Sequence, residues 1–150
     1  MKPMRKEDLR KAWLTAAVIN GGIISAIFVY ALAVEAVSRS MPFSPPLTEP
    51  IAGAVRYAFY ILGAGAVFAL KFIRPGIEDR AEPPGKAVRA LIRRTVITAA
   101  VGEIPAFLGF MLFFLAGNRW DFYLLAAFSA ATEFAYFPKY RIWEEKTRNG

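Results

Sequence analysis

The chain has 150 residues, 56 % of them apolar, a net charge of +7, no histidine and no cysteine. That is one domain's length, with an apolar share above the roughly 45–50 % usual for soluble domains. The missing residue types exclude disulfides and thiol chemistry and remove the commonest general base and metal ligand. No nucleophile–base set can then be assembled, so neither an enzyme, a metal centre nor a cofactor is expected.

The first apolar segment spans about 12–37, interrupted by Asn20 and, near its end, by Glu35. The charged arm from Met1 to Lys11 is followed by too long an apolar run for a signal peptide. Ser38 to Pro50 holds Pro42, Pro45, Pro46 and Pro50, a linker that cannot be helical. The second segment spans about 51–73, with Arg56 near its start and Lys71 near its end. Arg74 to Gly85 follows as a breaker cluster with Pro75, Gly76, Pro83, Pro84 and Gly85. The third segment, 95–116, carries one charge, Glu103. Gly117 to Asp121 is a tight connection that forces an antiparallel hairpin with the fourth segment. That last apolar stretch is short, and reaches about 121–138 by using Trp120, Tyr140 and Trp143 as interfacial anchors.

None of the four shows the alternation of a barrel strand, so the expected fold is an all-α membrane protein, a single four-transmembrane-helix bundle. Orientation follows from Lys and Arg. Lys2, Arg5, Lys6, Arg10 and Lys11 lie on the first arm, and Lys71, Arg74, Arg80, Lys86, Arg89, Arg93 and Arg94 around the central loop. Lys139, Arg141, Lys146 and Arg148 occupy the tail, whereas the opposite side has only Arg39, Arg56 and Arg119. The bias predicts both termini inside (N-in/C-in), in a bacterial or archaeal inner membrane. Basic residues that flank apolar segments contact headgroups, so the lipid bilayer is an expected partner and nucleic acid is not.

A short repeat suggests two duplicated helical hairpins. Thr15-Ala16-Ala17-Val18 recurs as Thr98-Ala99-Ala100-Val101, which aligns Asn20 with Glu103. The alternative is chance, since these residue types are frequent in such helices.

Charge within the bilayer is costly and usually faces protein. Glu103 lies 14 residues before Gly117 and Glu133 lies 12 after Asp121, so an antiparallel hairpin brings them to similar depth. Ala99, Gly102, Ala106 and Gly109 form a small-residue stripe bordered by Glu103, and Ala126, Ala130 and Glu133 share a face of the fourth segment. Both acids are expected at helix–helix contacts, where two nearby carboxylates do not both ionise readily. Asn20, Thr98 and Ser129 are the candidate further ligands of an ion site, with Thr132 and Tyr136 behind them. The structural alternative is a protonated Glu that hydrogen-bonds across helices, or Glu133 snorkelling toward Lys139. Glu35 and Arg56, near the outer end, are expected to form an interfacial ion pair. Pro105 removes a backbone donor and frees the carbonyl of Val101 beside Glu103.

The run Leu91-Ile92-Arg93-Arg94-Thr95 through Val101-Gly102-Glu103-Ile104-Pro105 resembles the outer helix of the rotary ATP synthase c subunit, the proteolipid. Gly63-Ala64-Gly65 and Arg74-Pro75 are similar to that family's glycine-rich inner helix and polar loop. The likeness covers about a third of the chain. The long run of alternating glycines is missing, and flanking helices are added. The resemblance implies that Glu103 binds H⁺ or Na⁺ in a homo-oligomer. The other expectation is a structural or accessory subunit of a larger membrane complex, docked through its basic rim and the Tyr136 to Glu145 tail.

Overall fold

The structure, a computed structural model, describes residues 6–40, 42–78 and 84–148. Five helices follow in order: α1 (Lys6–Ser40), α2 (Ile51–Glu78), α3 (Pro84–Ala116), α4 (Arg119–Tyr136) and α5 (Tyr140–Arg148). No strand occurs among the described residues. The segments Lys6–Ser40, Ile51–Phe72 and Val88–Ala116 are long and apolar enough to cross a membrane. With 18 residues, α4 is about 27 Å long at 1.5 Å per residue.

Local chemistry sets the boundaries. Glu7 and Asp8 in the first turn of α1 and Arg39 in its last complement the helix dipole. Gly117 ends α3 in the left-handed conformation (φ 75°), its N–H bonded to the Phe113 carbonyl at 2.8 Å. The Asn118 side chain then caps α4 by accepting from the Trp120 N–H at 3.0 Å. The proline-rich linker folds back over this turn. Phe43 stacks on Phe113, the Leu47 N–H bonds to the Leu115 carbonyl at 3.1 Å, and Pro45 lies where a side chain on Gly117 would go.

Two boundaries differ from the sequence expectation. α2 runs through Pro75 and Gly76 to Glu78, since a proline this near the helix end forfeits a donor without ending the helix. The rest of that linker, 79–83, lies outside the described residues. The tail forms a separate helix, α5, after a break at Phe137, Pro138 and Lys139.

The bundle is organised around α3, which packs against α1, α2 and α4. The small-residue stripe is what brings α4 close. Ala99 and Ala106 are fully buried, and a Cβ on Gly109 would stand 3.0 Å from Leu125 Cβ and 3.2 Å from Phe122 Cα. On another side Gly63 of α2 packs over the ring of Pro105. Among the described residues α1 and α2 do not pack on one another. This corrects the expectation of two duplicated hairpins. α2 packs on α3 and α3 on α4, whereas α1 and α2 form no packed hairpin, because the proline-rich linker crosses the bundle instead of turning α2 back onto α1.

Burial is layered along the axis. Toward the end with the proline-rich linker (the loop end), Ile27, Val34, Ala106, Phe113, Phe122 and Ala126 form one apolar cluster. At the end that gathers Lys and Arg (the basic end), Leu9, Ala16, Leu91 and Trp143 form another. The Trp13 indole donates to the Pro138 carbonyl at 2.9 Å and meets Tyr140 edge-on, fastening α5 to α1. Between the clusters lies a polar layer.

Candidate functional site

The polar layer is built from one residue of α1 and a facing pair of turns on α3 and α4. Asn20 follows Ala16 by one turn on the buried face of α1. Its Nδ2 donates to Glu133 Oε2 at 2.7 Å, and both residues are only 1 % exposed. One turn earlier on α4, the Ser129 hydroxyl donates to the Gly102 carbonyl at 2.5 Å. Glu133 Oε1 comes to rest against Gly102, where a Cβ would overlap it. Glycine at 102 is therefore what gives the carboxyl its seat on α3.

Two atoms of this layer stand out. Glu133 Oε1 and Asn20 Oδ1 are both buried without a hydrogen-bond partner. Each is an acceptor, and what both lack is a donor. An unsatisfied buried polar group costs about 1–3 kcal/mol.

The expected ion site is thus assembled in part. Asn20, Glu133 and Ser129 come together, whereas Glu103 does not join them as a ligand. Its side chain turns to α1, half-buried, and accepts from the Tyr30 hydroxyl at 2.8 Å. Tyr30 is held there by stacking on Phe110. Thr98 is buried one turn below Gly102, where it lines a crevice. Thr132 donates to the Phe128 carbonyl of its own helix at 2.9 Å, and Tyr136 lines the same crevice as Thr98. Sequence spacing gave no sign of Tyr30, because an aromatic on a long apolar helix reads as lipid-facing.

Near the loop end the expected Glu35–Arg56 pair is replaced by two others. Arg56 Nε donates to Asp121 Oδ2 at 2.7 Å, and the Tyr60 hydroxyl to Asp121 Oδ1 at 2.5 Å. Glu35 accepts from the Tyr123 hydroxyl at 2.6 Å and from Arg39 at 2.9 Å. The reason is topological: α1 and α2 pack on different parts of the bundle, so Glu35 cannot reach Arg56. Asp121 sits in the first turn of α4, 6 % exposed, where an anion suits the helix dipole and α2 passes close by.

No family model matches this sequence, and no curated protein or solved structure matches it. Function must come from the site. Among the described residues no group of three or more carboxylates can hold a metal ion. Hard metal cations gather about six oxygens or more. The Asn20–Glu133 layer offers two donor-less oxygens.

Proposed function

We propose that the chain is an integral membrane protein with four spans, α1 to α4, both termini cytoplasmic, whose Asn20–Glu133 pair binds a proton near mid-bilayer. The observation that carries this proposal is the pair of buried oxygens without donors, one on each partner. A proton on Glu133 removes the charge from the buried carboxyl and turns an orphaned acceptor into a donor. The lysine and arginine asymmetry supports the orientation, and the interfacial Trp120 and Tyr140 support α4 as a short fourth span. Glu103, capped by Tyr30 on the flank of α3, is the second acid of the assembly. The leading role falls to the carboxylate on α4 instead of Glu103, on which the likeness to rotary c subunits rests.

Infrared difference spectroscopy on protein in lipid tests this. A protonated-carboxyl stretch that titrates with pH, vanishes in Glu133→Gln and persists in Glu103→Gln is the expected result. A hydrophobic carbodiimide should modify Glu133, with labelling declining as pH rises and the proton leaves. If no titrating band depends on Glu133, the polar layer serves only to hold the helices together, and the chain is a structural or accessory subunit.

A further inference from the structure

A crevice lies on one side of the polar layer and an apolar cluster on the other. A crevice of about 70 Å³ opens at the basic end, between α3, the end of α4 and α5. Its lining includes Arg94, Thr95, Thr98, Tyr136, Lys139 and Trp143. A water needs about 10–15 Å³ of such space and two or more polar partners, so the crevice has room and lining for a few waters. Its innermost lining residues, Thr98 and Tyr136, lie about one helical turn from the acid. Thr98 precedes Gly102, the residue under Glu133 Oε1, by four positions, and Tyr136 follows Glu133 by three. At 1.5 Å per residue these offsets are about 6 Å and about 4.5 Å along the axis, a gap that one bridging water can span.

Toward the loop end a cavity of about 370 Å³ is lined by Phe113, and neither Asn20 nor Glu133 is among its lining residues. Ala106 and Phe122 are fully buried there, Phe113 nearly so, and with Ile27, Val34 and Ala126 they form a continuous apolar plug. These hydrocarbon side chains offer a proton no hydrogen-bonding group, and the Tyr30–Glu103 and Tyr123–Glu35 pairs flank them.

We propose that Glu133 exchanges its proton through the Thr98–Tyr136 crevice with the basic, cytoplasmic side alone. The proposal rests on the proton-binding role of Glu133 and adds its direction of access. The charged and titratable groups along the route are Arg94, Tyr136 and Lys139, and Glu103 lies within electrostatic range of the acid. A site with one mouth senses or stores cytoplasmic protons. Passage across the membrane would require the Phe113–Phe122 plug to open.

The chain contains no cysteine, so single cysteines report water access without background. Thr98→Cys and Thr95→Cys would be placed in the crevice, Ala106→Cys and Ala126→Cys in the plug, each in sealed vesicles of either orientation. Trypsin cleavage at the exposed Arg141 reads the orientation independently. A membrane-impermeant methanethiosulfonate should label the two crevice cysteines when the basic end faces the reagent, and neither plug cysteine from either side. Crevice cysteines that stay unlabelled from the basic end, or a plug cysteine labelled from the loop end, would overturn the proposed route. Thr95→Cys stands in should Thr98→Cys not fold. The Glu133 infrared band separates the two levels. A titrating band with silent crevice cysteines refutes the route while the proton site stands, and loss of the band removes both.

Discussion

The charge carried by Glu133 can be weighed by removing its one partner in two backgrounds. Asn20→Ala deletes the donor to Oε2 and leaves a small void whose cost is common to both. If the native acid carries a proton, the lost interaction is one neutral hydrogen bond inside a membrane protein, worth about 0.6 kcal/mol on average and up to about 1.7 kcal/mol. Glu133→Gln keeps the shape and the acceptor oxygen, so Asn20→Ala should cost the same there, within about 0.5 kcal/mol. If Glu133 were instead ionised, deleting Asn20 would strand a buried charge for about 3–5 kcal/mol in the native chain and far less in the Gln background. Unfolding in mixed micelles with increasing dodecyl sulfate, followed by circular dichroism and by the three tryptophans, gives the four stabilities. A difference between backgrounds of about 2 kcal/mol or more would refute proton occupancy at this site.

Four other substitutions probe the framework by the same unfolding assay. Gly109→Ala puts a Cβ against α4 backbone that cannot yield easily and should cost about 1–3 kcal/mol, whereas Gly65→Ala, with open space around it, should be neutral or stabilising by up to about 1 kcal/mol. Asp121→Ala removes the acceptor of both Arg56 and Tyr60; a loss of about 1–3 kcal/mol is expected, below the fully buried range because Arg56 keeps 29 % of its side chain exposed. Tyr30→Phe strips the donor from Glu103 and should cost no more than about 1 kcal/mol while the Glu133 infrared band is unmoved.

Helix identity and the three long apolar segments were legible because bilayer length and helical periodicity are one-dimensional properties. The α3–α4 hairpin was legible for a similar reason: Gly117 and Asn118 leave no room for any other path. Helix adjacency was not. Nothing in the sequence says that α2 avoids α1, and this single fact reassigns Arg56 from Glu35 to Asp121. Within the polar layer, Asn20, Ser129 and Glu133 come together, whereas Glu103 pairs with Tyr30. Asn20, Glu103, Glu133, Ser129 and Thr98 were all singled out by the cost of polarity in an apolar run. Depth along the axis ranked Glu103 first, but rotation about the axis decides burial. The small-residue stripe gives α4 a place beside Gly102, and Glu103, one residue on, is turned about 100° away toward α1. The c-subunit likeness shares that weakness, since it also follows position along one helix.

A purely structural role for the polar layer has to explain why it is left incomplete. Elsewhere the chain closes its polar groups with the means at hand. Ser129 and Thr132 donate to backbone carbonyls, Thr95 bonds to the Leu91 carbonyl at 3.1 Å, Asp121 collects two donors and Glu35 two more. Only in the Asn20–Glu133 pair are buried side-chain oxygens left without a donor among the described residues. A packing device would gain by closing them, and a hydroxyl on a neighbouring turn would suffice, since these helices already carry several. The proton binding proposed for Glu133 accounts for a deficit that packing alone would have removed.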